Sequence, residues 1–401
     1  MERTSTSRVM EDRVNPTNAT RTKVNLKSRE RYFDYNLLII VIFLVSFGLV
    51  ILYSASAYSS QLMHGDNMYI FSRQARISLV SFGIMLLLAL VSYHFYARLA
   101  WLIYFFALFL MALVQSPLGV EVNGARRWLA VAGDITIQPS EFSKLALIIF
   151  LSYLICSYGK KAHTFAGTVR IFFAGAVMAA AVLFLTENFS TSVIIVAITV
   201  GLYFVIHPRY KLFAFSAVLG GIIIWAALRF LSTVGPMSDD FRMRRILTWL
   251  DPEGQREAGA FQVTQGLYAI GSGGFWGRGL GSGTQKLGAI PEVHNDMILA
   301  VIAEELGIFG VLILLLMFGM LLYRLMFIAQ NAPDLFGSLL ATGIFLHIAV
   351  QVIINVAVVT NLLPTTGITL PFISFGGTSI LFLMAEMGVA LGISRRIVLT
   401  E

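Results

Sequence analysis

Residues 335–359 read LFGSLLATGIFLHIAVQVIINVAVV, an apolar run without a single Asp, Glu, Lys or Arg. It is longer than the ~20 residues an α-helix needs to cross about 30 Å of hydrocarbon, so it reads as a transmembrane span. Outward from it, comparable runs occur at 36–54, 77–95, 98–115, 144–159, 171–187, 191–207, 212–231, 296–323 and 379–394. The expected fold class is an all-α polytopic membrane protein of about ten transmembrane helices.

Composition agrees with this. The chain is 57% hydrophobic and only 13% charged, about half the charge of a soluble domain, so it lacks the residues for a water-facing surface. Its net charge of +7 comes from basic residues scattered over short loops and one tail. A nucleic-acid partner is not expected, because no basic stripe is present. The single cysteine, Cys156, lies in an apolar run, which excludes an internal disulfide framework and a cysteine-based metal site. Residues 1–34 are rich in Thr, Ser, Asn and Arg and bury too little to order, so they read as a disordered cytoplasmic tail. The apolar segment that follows is too long for a signal-peptide core and has no Ala-x-Ala-like site after it, so it is expected to remain as the first span.

With a cytoplasmic amino terminus, 17 of the 29 Lys and Arg fall on the inside and 12 outside. Seven of those 12 lie between Arg229 and Lys286, in a segment long enough to escape the positive-inside rule. An even number of spans then places Arg395 and Arg396 inside as well. Residues 35–396 form one membrane domain with a large extracytoplasmic loop, about 232–295, and 397–401 form a second cytoplasmic tail.

Polar residues inside the spans need a reason. His347, Gln351 and Asn355 follow at i+4 intervals and share one helical face. That face either bonds to neighbouring helices or lines a polar cavity. Glu304, Glu305 and Glu386 lie at depth, where a carboxylate is costly unless paired or hydrated, and Glu304 is expected to face a cavity. Outside, Asn123-Gly124-Ala125-Arg126-Arg127-Trp128 and Gln138-Pro139-Ser140-Glu141-Phe142-Ser143-Lys144 place three cations where the charge rule disfavours them. Ser140 can cap the fourth span, with Glu141 and Lys144 on one face at its outer end. The glycine-rich stretch 271–281, with Arg278, can bring backbone N–H groups close to phosphate oxygens, or can simply turn. Asp296 sits at the start of the eighth span, as a helix cap or as something more. No HExxH, nucleophile elbow, P-loop or dinucleotide fingerprint is present. The residues alone point to an outward polar site for an anionic, phosphate-bearing ligand.

These segments, in this order, resemble the SEDS family (shape, elongation, division and sporulation). The similarity covers about 35–396 and rests on YSAS (53–56), NGARRW (123–128), QPSEFSKLA (138–146), SGGFWGRGLG (272–281), PEVHNDMILAVIAEELG (291–307), LLPTTGITLPFISFGGTS (362–379) and SRR (394–396). The variants around Ala303-Glu304-Glu305 and Ile373-Ser374 look more like the FtsW branch than the RodA branch. Two departures stand out. Thr186-Glu187-Asn188-Phe189-Ser190-Thr191 replaces the family's Gln-Pro-Asp-Leu-Gly-Thr, and His294-Asn295-Asp296 replaces His-Thr-Asp.

The resemblance implies a ten-span peptidoglycan glycosyltransferase of the bacterial cytoplasmic membrane that polymerises lipid II into a nascent glycan strand during division. It also implies a class B penicillin-binding protein as transpeptidase partner, along with other division proteins. Matching the motif makes Asp296 the candidate general base. Arg126 and Lys144 are the first choices for pyrophosphate, with Glu141 orienting Lys144. Arg73, Arg278 and Ser374 are further candidate contacts. No tightly bound metal or cofactor is expected, although a divalent cation could assist on the pyrophosphate. The alternatives are a lipid II flippase, an elongation or spore-cortex role, and a scaffold without chemistry. The outward concentration of polar motifs and the lack of inverted repeats weigh against a transporter.

Overall fold

The computed structural model describes residues 32–122, 125–132, 135–207, 249, 258–287 and 293–398. Its helices are α1 (Tyr35–His64), α2 (Tyr69–Leu90), the short α3 (Tyr93–Arg98), α4 (Ala100–Leu113), α5 (Pro139–Tyr158), α6 (Phe165–Leu185), α7 (Phe189–Ile206), α8 (Ala258–Gly273), α9 (Ile298–Asn331), α10 (Leu335–Val359) and α11 (Ser379–Ser394). Among the described residues, seven helices are long and apolar enough to cross a membrane: α1, α2, α5, α6, α7, α9 and α10. The apolar helices α4 and α11 are shorter. The expected span at 212–231 and much of the 232–295 loop lie outside the described residues.

α5 and α10 form the centre. α5 buries nearly every side chain from Pro139 to Leu151, whereas α6 turns Phe173 and Phe184 outward as a lipid-facing helix does. Small residues let the backbones close up. A side chain on Gly388 of α11 would meet the Met85 carbonyl of α2 at 2.5 Å, and one on Gly343 of α10 would meet Ile148 of α5 at 2.5 Å. With no hydrophobic drive between helices in lipid, such close packing supplies much of the association energy.

α9 is broken at Gly307, whose φ of 70° and ψ of −173° no side-chain-bearing residue adopts cheaply. The break is filled by the glycine-rich segment after α8. Arg278 and Gly279 N–H donate to the carbonyls of Glu304 and Glu305 at 3.0 and 2.9 Å, and Ile308 and Phe309 N–H donate to those of Gly274 and Phe275 at 3.0 and 3.1 Å. Loop bonds thus take up the Glu304 and Glu305 carbonyls and the Ile308 and Phe309 N–H groups that the kink frees from the helical ladder.

The first and last described residues meet at one end of the bundle. Asp34 caps α1 through Leu37 N–H at 2.9 Å, and Arg324 of α9 grips it with Nε and Nη2 at 3.0 and 2.7 Å while also bonding the Tyr32 hydroxyl. Tyr32 N–H reaches the Ile397 carbonyl. Nearby, Asp334 caps α10 and accepts from the Tyr93 hydroxyl at 2.6 Å. Burial works against the charged form of Asp334, but the Tyr93 hydroxyl, Gly337 N–H and His94 outweigh it and hold its pKa below the ordinary value. The helix order places the loops at 114–138, 186–188, 293–297 and 360–378 at the opposite end.

Candidate active site

At that opposite end lies a cavity of about 420 Å³. Its roof begins with a three-stranded antiparallel sheet, β1 (Gly119–Val122), β2 (Ala125–Ala132) and β3 (Ile135–Ile137), in that order. Adjacent residues of a strand face opposite ways, and this separates two neighbouring arginines. Arg126 pairs across the sheet with Glu121 at 3.6 Å and is half exposed. Arg127 instead lies in the cavity wall, with Nη2 on the Glu187 carbonyl at 3.1 Å. Glu187 holds a positive φ of 48° in the turn before α7, and Asn188 then caps α7 by accepting from Thr191 N–H at 3.1 Å.

Directly after β3, Gln138 takes the N-cap position of α5 and Pro139 the first helical position. Ser140, expected as the cap, therefore sits inside the first turn, where its carbonyl accepts from the Ser143 hydroxyl. Glu141 lies in the same turn, where the N-terminal end of the helix favours a carboxylate. One turn on, Lys144 Nζ meets both Glu141 oxygens at 2.9 and 3.0 Å and Gln351 Oε1 at 3.2 Å. Lys144 is only 1% exposed. Glu141, Lys144 and Arg73 of α2 all line the cavity.

Asp296 lies in the same wall, two residues before α9. Gln262 of α8 donates to its Oδ1 at 3.3 Å, and Asn355 of α10 donates to its backbone carbonyl at 3.0 Å and to that of Ile368 at 2.8 Å. Gly367, at φ 69°, passes close enough that an added Cβ would lie 4.0 Å from Asp296 Oδ2. The remaining wall includes Asn188, Ser190, Thr191, Thr366 and Thr369, short polar groups able to bond sugar hydroxyls and amides.

Asp296, Lys144, Glu141 and Arg73 are therefore brought together, while Arg126, Arg278, Glu304 and Ser374 are not among the lining residues. Glu304 is fully buried and takes Thr284 N–H at 2.8 Å and Gln285 N–H at 3.3 Å; Arg278 Nη1 lies 3.5 Å from it. Beside it, Glu305 holds Lys286 at 2.6 Å and Ser54 at 2.7 Å. Both acids pin the 278–287 segment to α9 and α1. Ser374 accepts from Leu370 N–H at 2.8 Å and stabilises its own turn. Conversely, Gln262 lines the cavity without any motif in the sequence that marks it, and Asn188, which stands where the family's Gln-Pro-Asp-Leu-Gly-Thr string has its Asp, lines it too. Gln351 was legible as part of the polar α10 face. Among the described residues, no group of three or more His, Cys, Asp or Glu could hold a metal ion.

A family model described as a cell cycle protein, spanning FtsW, RodA and SpoVE, matches residues 35–397. Stage V sporulation protein E of Bacillus subtilis (strain 168) is 37% identical over 365 residues, 90% of this chain and 97% of that one. A probable peptidoglycan glycosyltransferase FtsW of Geobacter sulfurreducens (strain DL-1 / KN400) is 36% identical over 382 residues, 93% of this chain and 98% of its own. Among solved structures, a chain from a peptidoglycan synthase complex that coordinates polymerization and crosslinking superposes with a TM-score of 0.73 at 27% identity, covering 90% of this chain and 98% of that one. The rod shape determining protein RodA of Thermus thermophilus gives 0.62 at 26% identity, covering 90% and 97%. With its motifs, its helix order and its cavity in agreement, this chain belongs to the FtsW/RodA/SpoVE family of membrane-embedded cell cycle proteins.

Proposed function

We propose that this chain is a peptidoglycan glycosyltransferase that polymerises lipid II at the outer face of the cytoplasmic membrane, in septal wall synthesis. The observation that carries the reading is one cavity lined by Asp296 together with Lys144, Glu141, Arg73 and Arg127. Chain extension requires the 4-hydroxyl of an acceptor sugar to attack the anomeric carbon of a donor as polyprenyl pyrophosphate departs. Asp296 takes the hydroxyl proton, the new C–O bond forms, and the bond from the anomeric carbon to phosphate oxygen breaks with its electron pair going to pyrophosphate. Lys144, Arg73 and Arg127 stabilise that leaving charge, and Lys144, only 1% exposed, does so where water is excluded and a fixed cation acts most strongly. They do the work a metal ion would otherwise do. Glu141 keeps Lys144 oriented. The names of the relatives and of the complex support this chemistry and a transpeptidase partner of the penicillin-binding class.

Purified protein given lipid II, with and without a class B penicillin-binding protein, tests the reading. Glycan strands are the expected product. Transfer of lipid II across vesicle leaflets without any strand would replace the enzyme by a transporter.

A further inference from the structure

Lys144 is held by more than its cavity partner. Gln351 Oε1 accepts from Lys144 Nζ at 3.2 Å and also faces His347 Nε2 at 2.8 Å, while Gln351 Nε2 donates to the Thr369 carbonyl at 3.0 Å. Only one orientation of the amide satisfies all three partners, and it requires a hydrogen on His347 Nε2. His347 Nδ1 faces the two Glu386 oxygens at 3.0 and 2.8 Å. Whichever partner holds the proton of that contact, Nε2 keeps its own. His347, Gln351 and Glu386 are all buried, and His347 sits midway along the 25 residues of α10. An acid at that depth is expensive unless paired.

Neither His347 nor Glu386 lines the cavity. A pair that only joined two helices would need no link to the site, yet this one ends, through a single amide, on the site's buried cation. We propose that His347 and Glu386 are positioning residues for the pyrophosphate end of the cavity: through Gln351 they hold Lys144 in place. The inference rests on the glycosyltransferase reading. Without the His347 Nε2 hydrogen, Gln351 Oε1 loses one of its two donors, and the amide that faces Lys144 is held only by Lys144 itself and the Thr369 carbonyl. One turn along α10, Asn355 fixes the backbone of Asp296. Gln351 and Asn355, the two anchors on this helix face, are one turn apart, about 6 Å along the axis.

The test removes both partners at once, as His347→Leu with Glu386→Met, so that no lone buried charge remains; apolar replacement of a complete buried pair is commonly neutral for stability. Membrane insertion and melting temperature should be unchanged, while lipid II polymerisation falls by about tenfold or more, within the coupling range of contacting residues. In a background already lacking the cavity ion pair (Lys144→Met with Glu141→Gln), the same two changes should cost almost nothing further. Full activity of the pair variant, or a loss that multiplies undiminished onto that background, overturns the proposal. If the pair variant fails to fold, Gln351→Met enters the same comparison, and independent losses overturn it there. If the wild-type protein makes no glycan, the enzyme reading fails first. The chain is then read from nitrogen-15 histidine spectra, where the His347 Nε2–H signal must shift on removing Lys144; an unmoved signal overturns it.

Discussion

Asp296 is the residue at which two roles can be told apart by size of effect. Its position two residues before α9 suits a helix cap, but the N-cap position belongs to Met297, and the Asp296 carboxylate lies in the cavity wall with Gln262 on Oδ1. Asn serves a cap about as well as Asp, whereas loss of a general base costs about 10²–10⁴-fold in rate. Asp296→Asn should therefore insert and melt like the parent protein but make almost no glycan from lipid II. Polymerisation above about a tenth of the parent rate would remove the base assignment. The neighbouring arginines make a second pair of opposites. Arg127→Ala takes a cation from the wall and should cost about 2–4 kcal/mol in transition-state stabilisation, read as kcat/KM. Arg126→Ala deletes only an exposed cross-strand ion pair, worth at most about 1 kcal/mol, and should leave turnover nearly unchanged. Equal losses from both would place the pyrophosphate on the outer side of the sheet. Nothing in NGARRW distinguishes the two arginines; the strand pairing with Glu121 does.

At the scale of elements, the Gly307 break makes the strongest prediction. A Cβ there would lie 2.3 Å from the Phe275 carbonyl oxygen and 2.4 Å from Gly277 N, both backbone atoms that cannot swing aside. Gly307→Ala should therefore lower the melting temperature and open the 274–287 segment to protease, with strain of about 1–3 kcal/mol before any loss of the four docking bonds. Gly319→Ala, in the same helix with nothing within 4 Å, should be neutral or slightly stabilising. If both variants behave alike, the loop is not seated in the break. The break also shows what patterning could and could not reveal. Hydropathy located α10 and α11 to the residue, because both are apolar up to sharp ends. It started α2 eight residues late, since Arg73, Gln74 and Arg76 depress the window where the helix rises toward the cavity. It missed the small sheet and α8 entirely, because short or glycine-bearing elements in a polar loop carry no membrane period. The glycines of 271–281 read equally as a phosphate cradle or a turn; their partner, the interrupted ladder of α9, lies 30 residues on and leaves no local signal. The α10 face was legible as polar, and it serves both readings: His347 bonds to a neighbouring helix and Gln351 lines the cavity.

For the whole molecule, the division of charge between the two ends predicts which way the chain sits in the membrane. The end where Tyr32 meets Ile397 gathers Lys160, Lys161, Arg324, Arg395 and Arg396, and the short loops there are the ones the positive-inside rule reads most reliably. The cavity end carries its cations in pairs and walls that a ligand would use: Lys144 with Glu141, and Arg127 against the turn before α7. If the Tyr32 end is cytoplasmic, Asp296 opens toward the wall. Single cysteines in a Cys156→Ala background, labelled with an impermeant maleimide on intact protoplasts, test this directly. A cysteine at 121, on the sheet over the cavity where the Glu121 side chain is 56% exposed, should label without permeabilisation. One at 160 should label only after the membrane is opened. The reverse pattern would put the cavity on the cytoplasmic side. A glycan strand made there would have to cross the membrane after synthesis, and the largest cost in that passage would be its string of hydrogen-bonding sugars with no partners in hydrocarbon. That outcome would sink the polymerase reading even if Asp296 proved essential.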